Sequence, residues 1–385
     1  MNNVELLQQL IRFPTVSSES NLDLIHYIAQ LLEEKGIQVQ VIQDPVQAKA
    51  ALFATVGDPT IPGILLSGHS DVVPVEGQAW SVDPFSATLV EDKLFGRGAC
   101  DMKGFIAVAL NLMLSLADKP LARPVHLAVS FDEELGCLGV KDMLLHLQHL
   151  KVEPLLCIVG EPTEMNIALG HKGKAAYRVH CCGEEAHSSR APLSVNAIYL
   201  ACDFIAKLRE LQQQFKVRGA RDDEYDIPYS TVHVGKIEGG KAINIVPQSC
   251  QFDFEIRHLA QDDLDKELTT LFSQAQHIVE AARAELPASR AEIQFTCMSR
   301  YPGLNTDASH HAIQLLKKWS ADDAKFIRVA FGTEGGLFSQ ALNAPVVVCG
   351  PGSIEHAHKP DEFVALSQLH DCEQVLTQFI YDICQ

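Results

Sequence analysis

An apolar segment that runs into three acids constrains this chain more than any other feature of its sequence. Residues 125–130 are mostly apolar or β-branched, which is typical of a short buried strand. The segment is followed by Asp132, Glu133 and Glu134 and not by the neutral turn residues that usually end such strands. Because so much negative charge at a strand end is costly, we expect a cation or a chemical task to compensate it.

Composition excludes several classes of protein. The chain has 385 residues, of which 47% are hydrophobic and 21% charged, which favours two domains with large cores. A formal net charge of -18 disfavours nucleic-acid binding, and the short, interrupted apolar runs predict no membrane span. The eleven cysteines lack CxxC spacing, and the first residues lack a basic and apolar leader. We therefore expect reduced thiols and a cytoplasmic protein.

Alternating strand and helix patterns predict an α/β sheet that is covered on both faces. From about Gly173 the pattern changes to β-α-β-β-α-β, the split-βαβ plan of a small sandwich. After Pro302 the α/β pattern returns, with a last helix predicted from Val364. The simplest topology is one larger domain, residues 1–171 and 300–385, with a small domain inserted at residues 172–299.

Histidine and acidic residues recur where the predicted strands of the larger domain end. Ligands of open α/β sheets gather at the carboxyl ends of strands. The residues at these ends are His69, Asp71, Asp101, Glu133, Glu134, Glu161 and His358. Two imidazoles with several carboxylates, and no cysteine at matched spacing, suit zinc, cobalt or manganese. A spare glutamate beside the ligands could act as a base toward a metal-activated water.

Each of these residues, taken alone, has an ordinary structural explanation. His69 could be a hydrogen-bonded loop histidine, Asp101 a helix N-cap, and His358 a surface histidine. Glu133 and Glu134 could form a solvated turn. Their joint occurrence at the ends of several strands would require independent coincidences at one edge of a sheet. We therefore interpret the whole set as the parts of one metal site.

Five motifs resemble those of a known family. They are His69–Pro74, Gly96–Gly104, Asp132–Glu134, Gly160–Thr163 and His358–Glu362. In these motifs the chain resembles the di-zinc aminoacylase/peptidase family, and the resemblance extends over essentially the whole sequence. It implies a zinc-peptidase-like catalytic α/β domain with an inserted ferredoxin-like α+β domain, which would serve as a lid and in dimerisation.

The resemblance also implies a role for each candidate residue of the metal site. Two divalent metal ions, zinc in the first place and cobalt or manganese as alternatives, would have five ligands: His69, Asp101, Glu134, Glu161 and His358. Asp101 would bridge the two ions. Asp71 would orient His69, as metal-bound imidazoles normally require, and Glu133 would be the general acid and base.

Further roles implied by the resemblance lie outside the metal ligands. In a homodimer formed through the inserted domain, His187 would reach the active site of the partner and stabilise the oxyanion. Asn244, Arg257, Gly332 and Thr333 would bind the substrate. A strand-end His187, a turn-forming Asn244 and a solvated Arg257 are the structural alternatives.

Within the family, four segments most resemble one branch. They are Phe131–Gly136, Gly160–Thr163, Gly170–Gly173 and Phe331–Gly336. This branch hydrolyses N2-acetyl-L-ornithine, so the resemblance implies release of L-ornithine and acetate in arginine biosynthesis. Another N-acyl amino acid or dipeptide, such as succinyl-diaminopimelate, stays open as the substrate.

Two other classes of function are alternatives to a metal-dependent hydrolase. A non-catalytic scaffold on the same fold stays an alternative, but such a protein should have lost Glu133 or a ligand, and none is lost. A nucleophilic hydrolase is disfavoured because the sequence contains no Gly-x-Ser-x-Gly elbow.

Overall fold

The computed structural model describes residues 1–384, which divide into two compact units. Unit 1 comprises Met1–His171 and the residues from Leu304 onward, and unit 2 comprises Lys172–Gly303. The predicted boundary at residue 299 lies inside a strand, Glu292–Tyr301. This strand continues to pair with its neighbour as far as Tyr301, so the division between the units falls after the strand ends.

The helices and strands are as follows in chain order. Within residues 1–171 the helices are α1 (Asn3–Ile11), α2 (Leu22–Glu33), α3 (Lys103–Leu116) and α4 (Val140–His149). The strands there are β1 (Gln38–Gln43), β2 (Ala50–Val56), β3 (Gly63–His69), β4 (Thr88–Val90), β5 (Lys93–Phe95), β6 (Val125–Ser130), β7 (Pro154–Val159) and β8 (Ile167–His171).

Unit 2 then supplies β9 (Gly173–Cys182), β10 (Ala186–His187), a 3₁₀ helix (Ser188–Leu193), α5 (Ala197–Arg218), β11 (Thr231–Gly239), β12 (Ile245–Val246), β13 (Ser249–His258), α6 (Leu264–Glu285) and β14 (Glu292–Tyr301). The chain returns to unit 1 with β15 (Leu304–Asn305), α7 (His311–Trp319), β16 (Phe326–Val329), α8 (Gly335–Leu342), β17 (Val346–Val348), β18 (Phe363–Ala365) and α9 (Leu366–Cys384).

The core of unit 1 is a mixed sheet in the order β1-β2-β6-β3-β7-β17-β8-β15, with β16 paired to β8. Strands β6, β3 and β7 are adjacent and parallel, whereas β1 and β2 form an antiparallel edge. Parallel strands end at the same edge of a sheet. The residues that follow β3, β6 and β7 are therefore brought close together, as the sequence predicted.

Both faces of this sheet are covered. Ile64 and Leu66 of β3 belong to a core cluster that includes residues of α1, α2, α3 and α9. Leu65, whose side chain lies on the opposite face, is equally inaccessible to water. On that side α4 and α8 pack against each other. Burial on both faces explains why β2, β3 and β6 are buried along their whole length and show no alternation.

Unit 2 is built around an antiparallel sheet in the order β11-β13-β9-β14. Alternate residues of β9 and β13 are buried, because one face of the sheet packs against α5 and α6 around Phe204, Phe252 and Phe254. The other face carries charged and polar side chains. The order of strands and helices is the predicted β-α-β-β-α-β, and β10 and β12 form a separate ladder.

The structure corrects the prediction at the last helix. This helix begins at Leu366 and not at Val364, because Val364 lies in β18 and pairs with Leu94 of β5. The small sheet β18-β5-β4 was missed in the sequence, since strands of three residues are too short to show a periodic pattern. Its strand β5 leads directly into the loop that carries Asp101 to the start of α3.

Candidate metal centre

Asp101 lies between two imidazoles. Its Oδ1 is 3.1 Å from Nε2 of His69, and its Oδ2 is 3.1 Å from Nε2 of His358. The side chain is buried in the loop between β5 and α3. Each carboxylate oxygen therefore faces a different histidine, which is a disposition suited to a ligand shared by two ions.

The orientation of His69 is fixed by a contact with the backbone. Its Nδ1 lies 2.9 Å from the carbonyl oxygen of Asp71 and 3.5 Å from the carboxylate of the same residue. A carbonyl can only accept a hydrogen bond, so Nδ1 must carry the proton. Nε2 is then the ring nitrogen that faces Asp101 and Glu161, whose Oε1 is 3.7 Å away. A partner behind the ring is what a metal-binding histidine needs.

The carboxylate of Asp71 holds the acidic turn that follows β6. Its Oδ1 accepts a hydrogen bond from the backbone N–H of Glu133 (3.1 Å), and its Oδ2 accepts one from the N–H of Glu134 (3.3 Å). Asp132 adopts a left-handed conformation with φ of 54°, so the chain turns sharply before the two glutamates. Glu134 Oε1 then lies 3.0 Å from Nε2 of His358.

Two overlapping groups of side chains could each hold a metal ion. One consists of His69, Glu133 and Glu161, and the other of His69, Asp101 and Glu134; the ligand atoms of each group lie within 4.8 Å of one another. Glu133, for which the sequence predicts a proton-transfer role, thus lies as near as the predicted ligands. All donors are nitrogen or oxygen, which fits zinc, cobalt or manganese.

Burial and mutual repulsion perturb the acids and imidazoles of this cluster. Burial, reinforced by neighbouring carboxylates, raises the pKa of Glu133 and Glu161 well above the ordinary value. Burial opposes protonation of His69, yet Glu161 and the adjacent carboxylates raise its pKa well above the usual range. Hydrogen bonds to two carboxylates raise the pKa of His358 to about 10. The cluster contains more carboxylates than imidazoles, and divalent cations fit both the charge of the ionised carboxylates and the donor atoms.

A glycine allows the strand that presents Glu161 to approach the helix after Asp101. A Cβ at Gly160 would lie 1.9 Å from the ring of Phe105 in α3. Only glycine therefore leaves room for this ring at the end of β7. Because α3 directly follows the loop of Asp101, this close approach brings Asp101 near Glu161 at the end of β7.

Sequence reasoning missed three buried residues near the site. Lys49 Nζ donates to Asp132 Oδ1 and to the carbonyl of Ser17, both at 2.5 Å. Ser17 Oγ in turn donates to Asp71 Oδ2 at 2.7 Å. Glu334 is also buried, and burial raises its pKa to about 7. The available signal was weak: a single lysine directly before the largely apolar strand β2.

The predicted oxyanion donor His187 and the predicted substrate residue Asn244 lie close together in unit 2. His187 of β10 pairs with Ile245 of β12, and the N–H of Ser188 donates to the carbonyl of Asn244 at 2.9 Å. His187 is exposed, and its Nδ1 lies 2.8 Å from Ser189 Oγ. The ladder therefore brings His187 and Asn244 together from separate parts of the sequence.

The remaining predicted substrate residues have contacts within their own units. Arg257 Nε lies 3.1 Å from Glu255 Oε1 on the charged face of the unit 2 sheet. In unit 1, Thr333 is buried, and its Oγ1 accepts a hydrogen bond from the N–H of Gly335 at the start of α8 (2.9 Å). Gly332 directly precedes Thr333 in this turn and is half-buried.

A sheet edge with histidines and carboxylates placed for divalent cations, beside a glutamate able to move a proton, defines a metal-dependent hydrolase. The model of peptidase family M20/M25/M40 matches residues 65–382, and the chain belongs to this family. The family resemblance predicted from the motifs is thereby confirmed. No helix within residues 1–384 is both long and apolar enough to cross a membrane.

Relatives and solved structures agree with this assignment. The acetylornithine deacetylase of Proteus mirabilis is 32% identical over 391 residues, which cover 99% of this chain and 96% of the relative. The acetylornithine deacetylase of Aliivibrio salmonicida is 32% identical over 386 residues, with 99% and 98% covered.

Two solved structures show the same fold. An M20 family metallo-carboxypeptidase from Sulfolobus solfataricus has a TM-score of 0.79 at 20% identity, over 99% of this chain and 98% of the other. A dinuclear metal binding peptidase of the M20 family from Bacillus subtilis has a TM-score of 0.66 at 15% identity, with 99% and 97% covered. The zinc-peptidase-like α/β fold predicted from the sequence is therefore confirmed.

Proposed function

We propose that the protein removes the acetyl group from N2-acetyl-L-ornithine and releases L-ornithine and acetate, a step of arginine biosynthesis. The hydrolytic part of the proposal depends on one observation, Asp101 between two imidazoles with Glu133 in the same cluster. The choice of substrate draws on two relatives named acetylornithine deacetylase, each similar to this chain over nearly its whole length.

In this proposal the five predicted ligands would hold two divalent cations, and Asp101 would be available to both because each of its carboxylate oxygens faces a different imidazole. Zinc is the first candidate, and cobalt and manganese accept the same donors. Bound cations supply Lewis acidity, which makes the amide carbonyl more electrophilic and water more acidic. The backbone carbonyl of Asp71 keeps His69 in the tautomer that leaves Nε2 available.

Glu133 acts as the proton carrier. It accepts a proton from the attacking water while the new C–O bond forms at the acetyl carbonyl. It then delivers that proton to the α-nitrogen of ornithine as the C–N bond breaks. Asp71 holds the backbone N–H groups of Glu133 and Glu134 with its two carboxylate oxygens, so these neighbouring glutamates keep separate orientations and separate roles.

For unit 2 we propose the role of lid and dimerisation domain, with His187 donating to the oxyanion of the partner's substrate. Two observations within the unit support this: His187 is exposed, and its ladder brings it beside Asn244. Ile243, next in sequence to Asn244, is 101% exposed, which is unusual for a large apolar side chain. A hydrogen bond from His187 that strengthens only as negative charge develops on the oxyanion would mainly increase kcat.

Mixing two inactive variants tests whether His187 acts across a homodimer. In a dimer of one Glu133→Gln chain and one His187→Ala chain, one site would have both groups intact and the other would have neither. Random exchange makes half of the dimers mixed, so a 1:1 mixture should regain about one quarter of the activity of the unaltered protein. Activity that never exceeds the sum of the two variants would show that His187 does not act across a dimer.

A substrate panel tests the proposed reaction. Release of the free amine should be measured for N-acetyl-L-ornithine, N-succinyl-diaminopimelate and N-acetylated neutral amino acids, with a chelator and with zinc or cobalt restored. We expect kcat/KM for N-acetyl-L-ornithine to exceed the others by about 100-fold or more. A pocket with complementary polar or charged groups can distinguish the charged side chain of ornithine from other side chains. Preference for the succinyl substrate would favour a desuccinylase, and no hydrolysis with metal bound would favour a scaffold.

A further inference from the structure

Glu362 occupies a position that the proposed reaction does not use. It ends the motif His358–Glu362, directly before β18, and its side chain is 1% exposed. Fully buried carboxylates need several hydrogen-bond donors, and here all of the donors come from one loop. This loop, residues 96–101, leaves β5 and ends at Asp101.

The loop wraps around the carboxylate of Glu362. Oε1 accepts hydrogen bonds from the backbone N–H groups of Cys100 (2.9 Å) and Asp101 (3.1 Å). Oε2 accepts one from the N–H of Gly98 (3.1 Å) and one from Nη1 of Arg97 (2.6 Å). Gly98 has a φ of 82°, a left-handed conformation that glycine adopts without strain. The backbone that presents Asp101 is therefore shaped around a single anion.

The same network extends to the loop of His358. Arg97 Nη2 donates to Gln78 Oε1 at 2.6 Å, and Gln78 Nε2 donates to the carbonyl oxygen of His358 at 3.0 Å. Trp80 Nε1 also donates to Gln78 Oε1, at 3.0 Å, which fixes the orientation of this amide. His358 has a φ of 62°, so its backbone is held in a conformation that is uncommon for residues other than glycine.

We propose that Glu362 is a positioning residue for the metal centre, which sets the distance and orientation of Asp101 relative to His358 through Arg97 and Gln78. The inference rests on the proposed metal ligands but not on the proposed substrate. Groups that hold ligands in place affect metal affinity, because a ligand that must be reoriented on binding loses part of its binding free energy. Glu362 thus serves the metal site without touching a cation or the substrate.

The variant Glu362→Gln is the direct test. Glutamine has nearly the same shape, but its NH₂ group must face either the Arg97 and Gly98 donors or the Cys100 and Asp101 donors, so two of the four hydrogen bonds are lost. Zn²⁺ affinity should be measured by competition with a chromophoric chelator on metal-free protein, well below its melting temperature. We expect the dissociation constant to rise about 10- to 100-fold. The visible absorption of bound Co²⁺ should also change, because it reports ligand geometry.

Glu355→Gln is the matched control, since it makes the same change of charge at an exposed acid of the same loop region. This control should leave the dissociation constant unchanged. The variant Gln78→Ala leaves Glu362 unaltered but removes the link between Arg97 and His358, together with the acceptor of Trp80 Nε1, at a half-buried position that should tolerate the change. It should raise the dissociation constant by about fivefold, since a single hydrogen bond to the ligand's backbone is lost.

The results separate this inference from the proposed function. A folded Glu362→Gln protein that melts earlier but binds Zn²⁺ within about twofold of the unaltered protein would overturn the positioning role. If Glu362→Gln does not fold, an unchanged affinity in Gln78→Ala would overturn it. An unaltered protein that binds no Zn²⁺ would instead contradict the proposed metal centre, whatever these variants do.

Discussion

The two units use the same types of charged residue in opposite ways. In unit 1, Lys49 and Asp132 form an ion pair whose side chains are 6% and 3% exposed. In unit 2, Arg178 and Asp253 form a bidentate pair, with both contacts at 2.9 Å, whose side chains are 43% and 22% exposed. The second pair has the better hydrogen-bond geometry, but water surrounds it.

Exclusion of water, and not the choice of residue, makes the difference. Around Asp101 the carboxylates and the His69 imidazole are largely shielded from water, so each strongly perturbs the pKa of its neighbours. On the charged face of the unit 2 sheet, opposite charges are paired but remain screened. Only the first arrangement favours binding of a compensating cation, so the burial of an acidic cluster, and not its charge alone, indicates a metal site.

The largest effect is expected from Asp101→Ala. The change removes the carboxylate that faces both imidazoles, so metal content per chain should fall. Activity should fall about 10⁴-fold, because Lewis-acid stabilisation supplies several kcal/mol and each 1.36 kcal/mol is a factor of ten. Elemental analysis and initial rates check both statements. Full retention of metal in a folded variant would show that Asp101 is not a ligand.

A smaller loss, of about 10³-fold in kcat, is expected for Glu133→Gln, because a positioned proton carrier contributes a factor of this order. The amide keeps the shape of the side chain but cannot accept a proton. Metal content should remain that of the unaltered protein if Glu133 is the proton carrier. Loss of metal would place Glu133 among the ligands, in the group that it forms with His69 and Glu161.

Lys49→Met should lower the free energy of unfolding by about 3 kcal/mol, because it leaves the buried carboxylate of Asp132 without its partner. Methionine preserves the aliphatic part of the lysine side chain. Denaturant titration measures the change. The control is Arg178→Met, which breaks the exposed pair and should lower the free energy of unfolding by about 1 kcal/mol or less. Equal effects of the two variants would contradict the contrast between the units.

The larger features of the fold were predictable because they depend on periodicity. Largely apolar runs predicted buried strands such as β3 and β6, and the alternation in Gln251–Arg257 predicted the half-buried strand β13. The strand β18 was missed because Phe363–Ala365 is defined by its partner β5 and not by a pattern of its own. Short strands depend on tertiary pairing that no local window contains.

The clustering of His69, Glu134 and Glu161 could be predicted because parallel strands end at the same edge of a sheet. The residues that hold this cluster in place could not be predicted from the sequence. Lys49 and Ser17 reach the cluster from parts of the sequence that show no chemical motif, and their contacts are single hydrogen bonds across the fold. Sequence patterns identify residues that perform chemistry more readily than those that hold them in place.

The smallest effect tests whether the charged face of unit 2 has a binding role. Arg257 and Arg178 both lie on this face, and each contacts one carboxylate, Glu255 or Asp253. If Arg257 binds the substrate carboxylate, Arg257→Met should raise KM about tenfold through the loss of a charge-assisted hydrogen bond, whereas Arg178→Met should leave KM unchanged. Steady-state kinetics with N-acetyl-L-ornithine decide the matter. An unchanged KM in both variants would leave Arg257 with a structural role only, as a partner of Glu255.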